Sequence, residues 1–361
     1  MTKRTGAVLG VDVGGTFTDV VVADADGRLH VAKVPTTPAA PLDGIGRGIR
    51  QVLAASKVPP ERITRVVHGT TRATNAILER KGARTAFLAT RGFGDMLELG
   101  REARVEADRY DLHYEKPVSP VEAALTFEVD ERMSPEGVVE QRLEDANVEA
   151  VVAAVASRAP EAVAVCLLHA HANPAHEERL TAALRTALPA TYVVSSSEVW
   201  PEVREYERAL TTVMCAVVGP QMSEYLDGFG ALVREIGIPA AVQVMDSSGG
   251  VMTAARAARV PIYTVESGGA AGVVAAGFVG RQRGDREVVS FDMGGTTAKA
   301  GVVRGGRPDV THSFHVGGVA SLSGRKGGQG FPVKIPVVDI AEVGAGGGSM
   351  AWVDTGGALR V

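Results

Sequence analysis

Two stretches of this sequence set an aspartate, two glycines and a threonine in an order that suits polyphosphate binding. Val11-Asp12-Val13-Gly14-Gly15-Thr16-Phe17-Thr18-Asp19 recurs 280 residues on as Phe291-Asp292-Met293-Gly294-Gly295-Thr296-Thr297-Ala298-Lys299. Each copy follows one apolar run and precedes another, the pattern of strand, tight turn and strand. A glycine turn brings backbone N–H groups against phosphate oxygens, the threonine adds a hydroxyl, and an aspartate at the strand end holds Mg2+ or its water. Asp12 and Asp292 are therefore the candidate catalytic and metal-binding carboxylates. Gly14, Gly15, Thr16 and Thr18 make one candidate cradle, and Gly294, Gly295, Thr296 and Thr297 the other. One such motif is equally a plain glycine turn; a matched second copy at domain-scale spacing favours a two-sided phosphate clamp.

Other groups carry weaker signals. His68-Gly69-Thr70-Thr71 follows an apolar strand, and His68, Thr70 and Thr71, with Asn75 one helical turn beyond, are candidate substrate contacts in a cleft; Thr71 equally serves as a helix N-cap. Asp95, Glu98, Arg101 and Glu102 sit near helical spacing, where a solvated charged face is the commoner arrangement. His169, His171 and His176 have the look of metal ligands, but a turn at Asn173-Pro174 and a helix start beside Glu177 and Glu178 account for them without a metal. His312 and His315 fall on opposite faces of a strand. Cys166 and Cys215 lie in apolar surroundings without CxxC spacing, as buried thiols do. The nucleophile elbow GxSxG and the Walker A motif are both missing. Residues 344–349 (GAGGGS) are either a phosphate-touching loop or a flexible one, and residues 321–330 read as a surface loop.

These groups need elements to hold them. Strands are expected over residues 7–13, 17–23, 29–34, 63–67, 85–88, 162–168, 191–195, 242–245 and 288–292, and helices over 45–55, 74–81, 144–157, 176–188 and 270–278. Two further helices, 203–218 and 221–236, are expected to meet at Gly219-Pro220. Strands alternating with helices mean an α/β fold. The 361 residues allow two or three domains, and 45% hydrophobic with 22% charged residues excludes disorder and coiled coil. A net charge of -4 gives no general attraction for nucleic acid or an anionic membrane. No signal peptide and no apolar run of about 20 residues is visible, so a cytoplasmic location is expected.

The paired hairpins resemble those of the actin, sugar-kinase and Hsp70 ATPases, in which two ribonuclease-H-like lobes each offer one to ATP. More narrowly, the chain resembles the hydantoinase A and 5-oxoprolinase family, through residues 10–20 (GVDVGGTFTDV), 68–77 (HGTTRATNAI), 92–102 (GFGDMLELGRE), 110–117 (YDLHYEKP), 204–212 (REYERALTT), 248–250 (SGG), 267–273 (SGGAAGV), 292–297 and 344–349. The resemblance implies ATP and Mg2+ as cofactors, a cyclic amide or ketone as substrate, and a B-type hydantoinase subunit as partner. It implies an actin-like fold with a first lobe over 1–195, a helical connection over 196–287 and the start of a second lobe over 288–361. The 70 residues from Asp292 to Val361 are short for that lobe, so it is expected to be incomplete. Lys299 departs from the first copy, which has Asp19, and Gly269 departs from the SGPA often found in the family.

Overall fold

The computed structural model describes residues 6–37, 39–101, 109–113, 118–294, 297–312, 314–316 and 330–361. Strands β1 (Ala7–Val13), β2 (Phe17–Ala23) and β3 (Leu29–Pro35) form an antiparallel meander. Helix α1 (Pro41–Ser56) crosses over to β4 (Ile63–Thr70), which returns parallel to β1. One face of the meander is apolar at every second residue, and α1 lies close to it: a Cβ on Gly48 would stand 2.7 Å from Val20.

A second, all-parallel sheet follows. Helix α2 (Arg72–Leu78) leads to β5 (Thr85–Thr90), then α3 (Met96–Leu99), β6 (Thr126–Val129), the ribbon of β7 (Arg132–Met133) and β8 (Val139–Gln141), α4 (Asp145–Ser157), β9 (Ala162–Cys166), α5 (Ala175–Ala187) and β10 (Tyr192–Ser195). The order is β10-β9-β5-β6. Every residue of β5 and β9 is buried, as expected for strands covered on both faces.

After the short α6 (Ser196–Val199) runs α7 (Glu205–Glu235), one continuous helix of 31 residues with Pro220 inside it. The expected break at Gly219-Pro220 is absent. Proline removes one backbone hydrogen bond, but α7 is embedded between the two sheets and tertiary burial holds the turn in place. Strands β11 (Val242–Met245) and β12 (Val251–Thr253) then join the first sheet, giving the order β12-β11-β4-β1-β2-β3. Residues 196–287, expected as a helical connection, thus also supply two strands of that sheet.

Helix α8 (Ala254–Arg259) and helix α9 (Ser267–Arg283) lead to the second hairpin, β13 (Val288–Met293) and β14 (Ala298–Arg304). Strand β14 also pairs with β15 (Arg307–Pro308) and, after β16 (Val310–Thr311), β17 (Phe314–Val316), β18 (Phe331–Val333) and β19 (Val337–Val338), with β20 (Ile340–Val343). A last ribbon joins β21 (Trp352–Val353) to β22 (Leu359–Arg360). Ala270, Val273, Val303 and Val338 form a small core under α9, while Val316, Val333, Ile335 and Val337 belong to the main core.

The two hairpins are set in different surroundings. In β1, Leu9, Val11 and Val13 are 0%, 3% and 8% exposed; their counterparts in β13, Val289, Phe291 and Met293, are 69%, 69% and 55% exposed. Strand β1 is paired on both sides, whereas β13 is an edge strand among the described residues. No helix among the described residues is long and apolar enough to cross a membrane.

Candidate functional site

The repeated motif folds the same way twice. Gly14 N–H donates to the Phe17 carbonyl at 3.0 Å and Gly294 N–H donates to the Thr297 carbonyl at 2.9 Å, so each turn is closed by the same bond at the same place. Across the strands Asp12 faces Asp19, and Asp292 faces Lys299. Gly15 and Thr16 are exposed, and no heavy atom lies within 4 Å of where a Gly15 Cβ would be, which leaves that backbone open to a ligand. Gly295 and Thr296 lie outside the described residues.

Asp12 is pressed against bare backbone. A Cβ on Gly69 would stand 2.9 Å from Asp12 Oδ1, and one on Gly268, in the first turn of α9, 3.6 Å from the same atom. Asp12 is exposed, so its carboxylate reaches solvent beside this backbone. Burial raises its pKa above the ordinary 3.8, the charges of Asp19 and Asp292 raise it further, and Lys33 pulls the other way. Carboxylates that repel one another across a gap, all offering hard oxygen donors, fit a divalent cation such as Mg2+, whose charge would relieve that repulsion.

Around Asp12 and Asp292 several elements converge. Ser267 Oγ donates to the Thr70 carbonyl at 3.1 Å, and Glu266 N–H donates to Thr74 Oγ1 at 3.1 Å, which fastens α9 to the end of β4 and to α2. Residues 344–349 lean on the second hairpin, where Gly347 N–H donates to the Gly294 carbonyl at 2.9 Å. Thr71 stands at the N-cap position of α2, but its hydroxyl donates to the Val13 carbonyl at 3.3 Å instead of capping the helix, and Asn75 reaches the same hydroxyl at 3.4 Å.

Three sequence expectations change. His68 is fully buried, with Nδ1–H donating to the Val11 carbonyl at 3.1 Å and Nε2 accepting from Tyr225 Oη at 2.9 Å. Both ring nitrogens are engaged, so His68 props the strand carrying Asp12 and offers nothing to a cleft. Strand alternation explains this: His68 pairs with Val11, on the core face, and Asp12 points the other way. Thr18 and Thr70 are also 1% exposed; the Thr18 hydroxyl bonds Thr36 at 3.1 Å, and Thr70 Oγ1 accepts from Arg72 N–H. They hold the turn and the helix start in place of a ligand.

The remaining motifs have structural partners. Arg101 makes a fork onto Glu207 of α7, at 3.0 and 2.5 Å, joining the 92–102 and 204–212 segments; burial works to raise the Glu207 pKa, and the guanidinium outweighs it and holds the carboxyl low. Glu102 and residues 114–117 and 321–329 lie outside the described residues. His176 Nδ1 pairs with buried Glu131 at 2.7 Å. His169 and His171 do come near Glu205, a residue sequence spacing could not supply. Arg208 Nη1, however, donates to His171 Nδ1 at 3.2 Å and takes the lone pair a metal would need. Burial pushes the Cys166 thiol up to about 11 and that of Cys215 to about 12. A cavity of about 510 Å³ between Gly94 and Glu128 includes no residue of either hairpin in its lining.

Fold and site together describe a mixed α/β protein in which a strand, glycine turn and strand motif is built twice with the same closing bond. Models of the hydantoinase/oxoprolinase N-terminal region and of hydantoinase/oxoprolinase match residues 8–188 and 208–361, and the chain belongs to this family. It is 37% identical over 360 residues to an uncharacterised protein of Methanocaldococcus jannaschii, across 99% of this chain and 52% of that one. It is 31% identical to caprolactamase subunit alpha of Pseudomonas jessenii, across 98% of this chain and 50% of the relative; the crystal structure of that ATP-dependent caprolactamase superposes with a TM-score of 0.83 at 30% identity, over 96% of this chain and 49% of its own. The acetophenone carboxylase gamma subunit of Aromatoleum aromaticum is 31% identical, across 96% and 48%. The chain thus spans about half the length of these relatives.

Proposed function

We infer that the two hairpins clamp the phosphates of Mg-ATP, and that the chain is the ATP-using part of an enzyme that phosphorylates the carbonyl oxygen of a cyclic amide such as a hydantoin, 5-oxoproline or another lactam. The observation that carries this reading is the repeated turn, closed by one and the same bond in each copy, with Asp12 and Asp292 near enough to raise a charge penalty between them. Asp12 and Asp292 would hold Mg2+; Gly14, Gly15 and Thr16 on one side and Gly294, Gly295, Thr296 and Thr297 on the other would cradle the phosphates. The chemistry ATP supplies there is transfer of its terminal phosphoryl group to the carbonyl oxygen, which makes the ring carbon a target for water. The protein's part is chiefly positioning and charge.

We read the fold as actin-like, which agrees with this proposal. The strand order β3-β2-β1-β4-β11, antiparallel at one end and parallel at the other, is that expected of a ribonuclease-H-like lobe. On this view the first lobe also includes β11 and β12, the second begins near Val288, and a B-type subunit completes the enzyme. The likeness to an acetophenone carboxylase subunit favours a second reading in which a ketone enolate is phosphorylated instead.

Calorimetric titration with Mg-ATP and a non-hydrolysable analogue, on the parent and on Asp12→Asn, tests the clamp. The parent is expected to bind and the variant to lose at least tenfold in affinity. Because the folded-state pKa of Asp12 lies above its ordinary value, its charge at neutral pH opposes folding, so the variant's Tm should be no lower than the parent's. A folded parent that does not bind refutes the clamp. Phosphate release with a lactam, against release with a ketone and bicarbonate, separates the two substrate readings, and binding without release with either leaves a nucleotide-binding module.

A further inference from the structure

Lys299 breaks the likeness between the hairpins, and its surroundings suggest why. Its Nζ lies 2.6 Å from Glu266 Oε2 and 3.7 Å from Glu342 Oε2, with Asp292 directly across the ladder. Burial works against its charge, and the two carboxylates outweigh that and hold its pKa above 10.5. Glu266 is equally unusual. It sits just before α9 with φ +58, a left-handed backbone that non-glycine residues seldom adopt, and is anchored through its N–H to Thr74.

The next residues bring both hairpins to one place. A Cβ on Gly268 would stand 3.6 Å from Asp12 Oδ1, and one on Gly269 would stand 3.7 Å from Lys299 Cδ and 2.8 Å from Ile340. Within four residues, 266–269, the chain passes Asp12 of the first hairpin and Lys299 of the second. Lys299 is therefore linked to Asp12 through residues 266–269 and lies directly across the ladder from Asp292, and its position is set by a contact that a side-chain rotation can break. Lysine carries a compact charge on a flexible stem, suited to trading one anion for another.

Resting on the Mg-ATP reading, we propose that Lys299 is the phosphate-contacting cation of the second hairpin, and that Glu266 is its counter-ion while the cleft is empty. Phosphate entry exchanges the partners. The rival arrangement is a fixed brace, in which the Lys299–Glu266 pair only holds the hairpin to α9.

The two arrangements predict opposite signs for one substitution. Mg-ATP is titrated into the parent, Lys299→Met, Lys299→Arg, Glu266→Gln and the Glu266→Gln/Lys299→Met double variant, each checked by thermal melt. A phosphate contact predicts a loss of tenfold or more in Lys299→Met, near-parent affinity in Lys299→Arg, a several-fold gain in Glu266→Gln because the competitor is gone, and a double variant that behaves as Lys299→Met. Equal weakening in Glu266→Gln and Lys299→Met identifies a brace and overturns the proposal, as does unchanged affinity in all variants. Pyrophosphate is titrated in parallel. If the parent binds it through Lys299 but does not bind Mg-ATP, the nucleotide reading falls and the anion contact stands; if it binds neither, both fall.

Discussion

Asp12 and His68 lie one residue apart in register across β1 and β4, and the pleat sends them to opposite environments. Asp12 faces other carboxylates at the surface; His68 is sealed among Val11, Tyr225 and Phe229, its ring 4.7 Å from the Phe229 ring. Burial drives the His68 pKa down to about 4 from 6.5. The unfolded chain takes up this proton near pH 6.5 and the folded protein only near 4. Its contribution is therefore intact above 6.5, declines as the pH falls from 6.5 to 4, and is level below, a loss of roughly 3 kcal/mol. Urea melts at pH 7.5 and 4.5 check this: the parent should lose more stability than His68→Gln by most of that amount, and equal losses would contradict it. The motif around His68 was legible in the sequence, but its role was not. A histidine before Gly-Thr-Thr suits a cleft on chemical grounds, and only the pairing of β4 with β1, which no local spacing encodes, sets its face. Glu266 and Glu207 carried no local signal at all, because each matters through a partner at least 33 positions away, Lys299 and Arg101.

At the scale of elements, α7 shows what holds a sequence against its own propensities. Gly219 and Pro220 together mark a helix end by every local rule, and the helix continues for another 15 residues. Gly219 is needed for a different reason: Tyr192 lies so close that a Cβ there would stand 2.3 to 2.6 Å from three atoms of its ring. That ring cannot retreat, since Tyr192 Oη donates to the Arg259 carbonyl at 2.6 Å. Gly219→Ala should therefore destabilise by roughly 1–3 kcal/mol despite alanine's better helix propensity, which chemical denaturation would measure. A neutral or stabilising result would mean that the ring has room. Elements whose pattern is local were legible: β1, β2 and β11 span the expected ranges, and β13 runs one residue past its expected 288–292. Elements fixed by burial between sheets were not.

Across the whole molecule, the duplicated motif is carried by two unlike supports. The first hairpin grows from a strand paired on both sides, with Leu9, Val11 and Val13 buried in the main core; the second grows from an edge strand whose matching residues face solvent. Amide hydrogen exchange turns this contrast into numbers. Amides of residues 9–13 should exchange only through opening close to global unfolding, while those of 289–293 should exchange orders of magnitude faster through local opening. Similar protection at both would show the strands to be equally held. The consequence is mechanical: a load on the first hairpin is borne from both sides by the body of the protein, and a load on the second is borne through β14 and the flank of α9.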